Sequence, residues 1–470
     1  MMKTKLIISA LSLTLLVATS VAGAQPRPGE GAMPEGPPPG GMPPRSAPVD
    51  YQAAVLVRDG EARVDAASTR GINGKMNANA AAGITIRSST DHYNGLLVRG
   101  HSDFTLSNAT IDLSGKGLSD FDGIAAGALV KDEATMVLKN VRIHTRGVVS
   151  TAVTATDKTV LKVYHSTLVA DGGPVPSAYV RRIGPGMMEP PAPLGIVGTA
   201  RTSLTMGEAK AYYYDSKIIA DGWGALSTDA AHGAYLEVNR CDIRVLRSGY
   251  GSYADNGATV VINDSKMHVA SFGGIIAGQA SMAFNNVQTV SGGNAVMIHS
   301  VMGSPMELAR LTIRGGRISS TNAAILVKSA NADILIEDVR ISAKNADLLL
   351  AVVNDDAFAT KVNGQPVAGI HARIRNTRLE GNIIHLDTDR HMAVSFTGST
   401  LKGAIRDAAI SLDASSRWTA TADSRVLLEA PTGLAQIDAL KGVRIEARAD
   451  PLRFTQGEHV LPSGGVLVVQ

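Results

Sequence analysis

Short segments of alternating apolar and polar residues recur along most of the chain, and each is interrupted by one turn residue. Examples are "FTLSNATIDL", "LEVNRCDIRV", "VVINDSKMHV" and "ILIEDVRISA". Alternation with a period of two is typical of β-strands that bury one face. The pattern therefore predicts pairs of short strands joined by a tight turn, repeated many times.

The turn residues recur at a regular interval. They are Asn108, Asn140, His165, Asp215, Arg240, Asp264, Asn286, Gly315, Asp338, Asn376 and Gly398. Their separations are 32, 25, 50, 25, 24, 22, 29, 23, 38 and 22 residues, so the short ones cluster at 22 to 25. A unit of that size is too thin to bury its own apolar face, and stacking successive units solves the problem. Asn at the turn tolerates the left-handed backbone region. We therefore expect an all-β fold, a right-handed parallel β-helix with rungs of about 22–25 residues.

Two other repeat folds were weighed against this prediction. Leucine-rich repeats have a similar period, but their "LxxLxLxxN" spacing is absent from the sequence. A propeller blade needs about 40 residues and four strands. The β-helix fits the observed period better than either alternative.

The repeats set the predicted domain boundaries. The β-helix is expected over residues 84–455, after an N-terminal cap region at 50–83 and before a C-terminal cap strand at 456–470. The two longest gaps predict loop insertions near 173–200 and 353–369. Loops that leave a regular scaffold often carry binding residues.

The first 49 residues predict the compartment. Residues 1–24 combine two lysines, an apolar stretch and the small residues "AGA", which is typical of a secretory signal peptide. Residues 25–49 are rich in Pro and Gly and predict a linker. We expect a protein that is secreted, periplasmic or on the cell surface, with no membrane span after cleavage.

Composition narrows the classes of partner. The 470 residues carry a net charge of +3, and no basic tract points to nucleic acid. Cys241 is the single cysteine, so no intrachain disulfide forms, and we expect a small buried core residue there. The sequence contains no GxSxG, P-loop, HExxH or paired CxxC motif.

The turn ladder, the scarcity of cysteine and the signal peptide resemble secreted proteins of the pectin-lyase-like β-helix superfamily. They are also similar to passenger regions of bacterial autotransporter adhesins. The resemblance covers roughly residues 84–455 and implies a fold rather than a reaction. Calcium-dependent pectate lyases need a clustered set of aspartates and an arginine base, and the sequence departs from that pattern.

Candidate chemistry comes from aligning the strands "GALSTD", "GSYADN", "GIIAGQ", "AVMIHS" and "AILVKS" at their first residues. This alignment predicts an outward column of Thr228, Asp255, Gly278, His299 and Lys328. It predicts that Ser227, Ile275 and Ala277 point inward. Asp255, His299 and Lys328 are the predicted catalytic residues, as acid, base and charge-stabilising groups. The predicted substrate-binding residues are Trp223, Tyr250, Tyr253, Arg201 and Arg182.

The same column also fits an ordinary solvated face, since a slip of one residue would turn every side chain inward. No cofactor is predicted. The pair Asp120 and Asp122 in "SDFDG" offers oxygen ligands for calcium, and a solvated turn is the competing interpretation.

Two main functions remain open at this point. One is an enzyme that acts on an extracellular polysaccharide or cell-surface glycan by elimination or hydrolysis, as a lyase or a glycoside hydrolase. The other is a non-catalytic adhesin or surface-binding protein, with a self-associating scaffold as a variant of it. The insertions and the mixed acid–base column cluster in the same central rungs, and this favours the polysaccharide enzyme.

Overall fold

The protein is described here by a computed structural model that covers residues 50–70, 76–118, 121–173, 177, 194–198, 201–231, 233–300, 303–354 and 359–470. The chain coils through successive rungs, and each strand pairs in parallel with its counterpart in the next rung. The predicted parallel β-helix is confirmed. The predicted signal peptide and linker lie outside the described residues.

Each rung contributes strands to three faces, which we call sheets I, II and III in chain order. Sheet I contains Gln52–Arg58, Tyr93–Arg99, Ala128–Val130, Val153–Ala155, Arg201–Gly207, the second half of Lys217–Ala231, the second half of Asp242–Ala254, Phe272–Ala277, Val296–His299, Ile325–Lys328, Asp347–Val352, Asn382–His385 and the start of Ile405–Leu412.

Sheet II follows in each rung. It contains Ala80–Ala82, Asp103–Ser107, Thr135–Lys139, Val160–Tyr164, Lys210–Tyr214, Tyr235–Asn239, Thr259–Asn263, Ser281–Asn285, Leu308–Arg314, Asn331–Glu337, Ile370–Arg375, Met392–Thr397, the end of Ile405–Leu412, Ser424–Leu428, Arg444–Ala449 and Val466–Val469.

Sheet III completes the rung. It contains Thr85–Ser88, Thr110–Leu113, Arg142–Thr145, Thr167–Ala170, the first halves of Lys217–Ala231 and Asp242–Ala254, Lys266–Val269, Gln288–Ser291, Arg317–Ser320, Arg340–Ala343, Arg378–Glu380, Thr400–Lys402, Arg417–Ala420 and Ile437–Ala439. The last four of these strands pair among themselves as a separate ladder. A short 3₁₀ helix, Leu434–Gln436, precedes the final strand of sheet III.

The turns between sheets II and III are the ones that the sequence predicts. All eleven predicted turn residues have a positive φ, from 48° at His165 to 64° at Gly315. The left-handed conformation reverses the chain within one residue, which lets two strands of a rung meet at a tight corner. Amide side chains bridge some of these corners, as where Asn286 Nδ2 donates to Asp264 Oδ1 at 2.8 Å.

The core fills the inside of the coil. Inward residues of the three sheets, such as Ile298 of sheet I, Leu236 of sheet II and Ile243 of sheet III, are fully buried. Cys241 is also buried at this level, as predicted, and burial raises the pKa of its thiol to about 11. The corner where sheet III passes into sheet I requires very small residues. A Cβ placed on Gly273 would lie 2.5 Å from the Ala295 carbonyl oxygen of the next rung.

Antiparallel strands cover both ends of the coil. Glu61–Val64 pairs with Gln52–Arg58 at the N-terminal end. Gly457–Val460 pairs with Val466–Val469 at the C-terminal end. Thr69–Arg70 adds a third antiparallel pairing, with the first strand of sheet III. Such pairings occupy backbone groups that would otherwise offer an open edge. Within the described part of the chain, no helix is long and apolar enough to cross a membrane.

Candidate functional site on the outer face of sheet I

The outer face of sheet I carries a second apolar cluster, separate from the core inside the coil. Its buried members are Val149, Leu194, Ile196, Trp223, Tyr250, Ile275 and Met297, and the half-buried Tyr253, Phe272 and Leu326 pack against it. An apolar cluster on the outside of a solenoid needs a cover, and here residues 194–198 supply part of it. The first predicted insertion therefore reaches the central rungs of sheet I.

The cover is held to the sheet by backbone hydrogen bonds. The Trp223 N–H donates to the Val197 carbonyl at 2.8 Å, and the Val197 N–H donates to Ser248 Oγ at 3.0 Å. Trp223 has a φ of 65°, which is unusual for a large side chain. The indole is completely buried in one cluster with Leu194 and Ile196 of the cover.

A buried salt bridge lies next to this cluster. The Arg201 guanidinium donates to the Asp229 carboxylate, with side-chain exposures of 1% and 18%. The Arg201 Cζ atom lies 4.5 Å from the Phe121 ring centroid and 5.0 Å from the Trp223 ring centroid. Two aromatic rings and one carboxylate thus fix a cation that would be costly to bury alone.

Tyr253 lies within the electrostatic influence of both the Arg201–Asp229 salt bridge and Asp255 of the predicted column. Burial raises the pKa of the Tyr253 hydroxyl well above its ordinary value, and the charges of Asp255 and Asp229 raise it further. Its hydroxyl therefore stays protonated and can donate a hydrogen bond at neutral pH. The Tyr250 and Tyr253 ring centroids are 5.2 Å apart, and Tyr250 Oη is 2.9 Å from Ser227 Oγ.

Thr228 fixes the backbone beside Asp255. Its hydroxyl donates to the Tyr253 carbonyl at 3.1 Å and accepts from the Asp255 N–H at 2.9 Å. Ser227 pairs with Tyr253 in the strand register. Continuing that register by two residues brings Asp229 beside Asp255, so two carboxylates occupy successive rungs on one outer face.

The other two predicted catalytic residues lie further along the coil. His299 pairs with Ala277 on one side and with Lys328 on the other, so the predicted adjacency of His299 and Lys328 is present. Asp255 lies one strand beyond Ala277, two strands and roughly 10 Å from His299. His299 is only 4% exposed, whereas Lys328 is half-buried.

The predicted orientation is wrong by one residue at two rungs. Leu226 and Thr228 align with Ser252 and Ala254 and point inward, whereas the sequence alignment directed them outward. Ile276 packs in the inner core, and Ile275 packs in the outer cluster, the reverse of the prediction. The column on this face is therefore Asp229, Asp255, Ala277, His299 and Lys328, without Thr228 or Gly278.

The predicted substrate-binding residues have different environments. Trp223, Tyr250 and Arg201 are at most 1% exposed, so their side chains support the site from beneath and offer no free surface to a sugar. Tyr253 is half-buried and does present part of its ring. Arg182 lies outside the described residues.

Sequence reasoning missed Asp229 and Phe121. Asp229 could have been predicted from the sequence, because shifting "GALSTD" by one residue in the strand alignment places Asp229 in the column of Asp255. Nothing in the sequence pattern predicts Phe121, because this residue lies in a loop of an earlier rung and reaches Arg201 only in the folded chain.

The acidic residues and the surface depressions offer no second site beside this one within the part of the chain that the structure describes. No group of three or more His, Cys, Asp or Glu side chains could hold a metal ion among the described residues. Asp120 lies outside that part of the chain, and Asp122 Oδ1 accepts the Ile124 N–H at 2.8 Å, as in an ordinary turn. A depression of about 650 Å³ lies on the C-terminal rungs against His391, Arg425 and Arg448, and it does not include Asp229, Tyr253 or Asp255.

Neither a protein-family model nor a curated protein matches the chain. The fold and the site together define its class as a parallel β-helix protein with an acidic, aromatic site on one outer face.

Proposed function

We propose that the protein binds an extracellular polysaccharide along the outer face of sheet I and hydrolyses it at Asp229 and Asp255. The observation that carries the proposal is the position of Asp229 and Asp255 on successive rungs of one outer face, beside the half-buried Tyr253 ring. Burial raises the pKa of the Tyr253 hydroxyl, and the charges of Asp255 and Asp229 raise it further. Paired carboxylates beside an aromatic ring are the groups that glycosidic hydrolysis requires. The extracellular setting rests on the predicted signal peptide.

The two carboxylates are given different roles. Hydrolysis needs one ionised carboxylate and one protonated carboxyl group. Asp229, which accepts from the Arg201 guanidinium, is assigned the ionised role at the anomeric carbon. Asp255 is assigned the acid role and gives its proton to the leaving oxygen. The glycosidic C–O bond breaks, water gives its hydroxyl group to the anomeric carbon, and its remaining proton returns the Asp229–Asp255 pair to its starting charge. The products are two shorter chains and one new reducing end.

Lys328 is assigned to binding, whereas His299 is only 4% exposed and is given no contact with the substrate. Lys328 is half-buried and lies on the same face as Asp255, further along the coil. A substrate that runs along the coil axis would pass Tyr253 and Asp255 before it reaches Lys328. The ammonium group is suited to a carboxylate on such a chain.

The test is a screen of the purified protein against polysaccharides for new reducing ends, with absorbance of unsaturated uronates as the readout for elimination. We expect reducing ends without unsaturation, and a loss of at least about 100-fold in rate for Asp229→Asn and for Asp255→Asn. Asp242→Asn, on sheet III, is the matched control and should retain activity. Activity that survives in both site variants would refute the assignment.

The second candidate function is glycan binding without turnover. The burial of Trp223, Tyr250 and Arg201 favours it, because the accessible part of the site is limited to Tyr253, Asp229 and Asp255. It predicts retention on a polysaccharide affinity gel with no product from any substrate in the screen.

A further inference from the structure

Four tyrosines lie together on the outer face of sheet II, away from the site on sheet I. Three consecutive strands, Val160–Tyr164, Lys210–Tyr214 and Tyr235–Asn239, pair in register. Their nine outward positions form a three-by-three arrangement, which we call the tyrosine grid: Val160, Lys162, Tyr164, Lys210, Tyr212, Tyr214, Tyr235, Glu237 and Asn239. Four of the ten tyrosines of the chain are thus concentrated on one small surface.

The strand alternation settles which side chains face outward. The residues between them, such as Leu161, Tyr213 and Val238, are fully buried inside the coil. All four grid tyrosines are half-buried. The grid measures roughly 10 Å by 13 Å between its outermost Cα atoms, from two strand spacings and four residues of strand.

The four rings form two pairs on this surface. Tyr164 and Tyr214 stack with centroids 5.0 Å apart and planes inclined by 9°. Tyr212 and Tyr235 have centroids 5.7 Å apart and planes inclined by 49°. Stacking of this kind stabilises a sheet by itself. It does not account for the lysines and amides that are interspersed among the rings.

The charge on the grid is predominantly positive. Lys162 and Lys210 belong to it, and Lys139 pairs with Tyr164 in the strand before it. Glu237 is the single carboxylate of the grid, and both of its oxygens are engaged. Tyr235 Oη donates to Glu237 Oε2 at 2.7 Å, and Asn239 Nδ2 donates to Oε1 at 3.0 Å. The nearby Asp215 accepts two hydrogen bonds from Arg240 at 2.8 Å.

Polar groups continue from the grid along the coil. Asn263 Nδ2 donates to Asn239 Oδ1 at 3.0 Å, and Asn285 Nδ2 donates to Asn263 Oδ1 at 2.8 Å. These half-buried amides extend the surface by two further rungs. Burial raises the pKa of Tyr214, with a smaller contribution from Glu237, so its hydroxyl stays a donor at neutral pH.

We propose that the tyrosine grid is a second, non-catalytic binding surface that holds an acidic polysaccharide chain. Aromatic rings pack against the C–H groups of a sugar, hydroxyl and amide groups hydrogen-bond its hydroxyls, and the lysines pair with its carboxylates. The inference rests on the proposed function for the class of ligand and adds to it the acidic character of the polymer. A surface on sheet II would keep the polymer near the protein between reactions on sheet I.

The experiment is affinity gel electrophoresis of the full chain in gels that contain polygalacturonate, alginate or a neutral β-glucan. We expect retardation by the two acidic polymers only, weakened by salt because exposed ion pairs are screened. Lys162→Glu/Lys210→Glu should lower the affinity by about tenfold. Tyr212→Ala/Tyr214→Ala should lower it by a similar factor. The matched charge control is Lys217→Glu/Lys266→Glu on sheet III, which should bind like the unchanged protein.

Thermal unfolding checks that each variant is folded, and the lysine variant keeps the test decisive if the tyrosine variant is unstable. If the lysine variant is retarded as strongly as the unchanged protein, the proposal is overturned. Equal retardation of the unchanged protein by the neutral glucan would also overturn it.

Cleavage of short oligosaccharides distinguishes binding at the tyrosine grid from hydrolysis at Asp229 and Asp255. Grid variants should retain this cleavage, whereas Asp229→Asn should lose it and still bind polymer. Grid-dependent binding with no cleavage at all would refute the hydrolysis and leave the grid intact.

Discussion

Arg201 donates to Asp229 across the central rungs of sheet I, and the arginine side chain is 99% removed from solvent between the rings of Phe121 and Trp223. The pair links the outer apolar cluster to the acidic column. It therefore serves stability and the proposed chemistry at the same time.

Replacing Arg201 with Met should lower the free energy of unfolding by about 3 kcal/mol, because Asp229 loses the cation that compensates its burial. The measurement is urea denaturation. Arg201→Met/Asp229→Asn should recover part of the loss, since no charge then remains unpaired. If the losses measured for Arg201→Met and for Asp229→Asn add up to the loss of the double variant, the two side chains are not coupled.

His165 should be replaceable by Gly with a gain in stability. Its φ of 48° is strained for a residue with a Cβ, and its side chain is exposed. We expect the free energy of unfolding to rise by about 0.5–1 kcal/mol, since relief of strain exceeds the added entropy of the unfolded chain. Lys266→Gly, in a regular strand, is the control and should lower it by about 0.5–1 kcal/mol. A loss in both variants would contradict the strain argument.

Asp413 should make stability depend on pH. The Ser416 hydroxyl donates to its carboxylate at 2.6 Å and, with Ser415 and the Gly398 N–H, lowers the pKa of Asp413 below its ordinary value. A lowered folded pKa adds stability that is present above the unfolded pKa and is lost as pH falls through the folded pKa. Asp413→Asn should therefore be less stable than the unchanged protein at neutral pH.

The check is the difference in denaturant midpoint between the two proteins, measured at neutral pH and at about pH 3. The difference should narrow in acid, because the unchanged protein then loses the same interaction. A constant difference would assign the effect to packing.

Removing residues 450–470 should cause self-association. The deletion takes away the strands Gly457–Val460 and Val466–Val469, together with the buried Phe454, Leu461 and Leu467. The strand Arg444–Ala449 would then present an unpaired edge. Size-exclusion chromatography with light scattering should show oligomers or aggregates. Leu452→Ser, at a side chain that is 94% exposed, should leave the elution unchanged. A monomeric truncated protein with unaltered thermal stability would refute the capping role.

The fold was predictable because its two requirements are local. Alternation fixes which residues enter the coil, and a left-handed turn residue marks one corner of each rung. Turn residues as different as Asn108, His165 and Arg240 all adopt that conformation. A change of side chain is tolerated at an exposed corner, so the repeat length is kept while the residue at each corner varies.

The site was less predictable because register depends on contacts between rungs. The sequence alignment matched Gly224, Gly251 and Gly274. In the structure Gly251 lies against Gly273, and Gly224 pairs with Tyr250. In the doublet Gly273–Gly274 either residue fits a glycine turn, and only the close approach of neighbouring backbones selects the first. Matching Gly224 to Gly251 removed Asp229 from the predicted column, and matching Gly274 to Gly251 put Gly278 in the place of Ala277.

The parallel ladder has a consequence for how such a molecule could change length. Each lap contacts only the laps before and after it, so gaining or losing one whole lap between the covered ends should leave the others intact. A lap gained or lost between the strands of Asp255 and Lys328 would change the distance between these two side chains along the axis by one strand spacing, roughly 4.8 Å. The coil would then act as a molecular ruler, on which evolution could match the spacing of two binding residues to the repeat of a polymer.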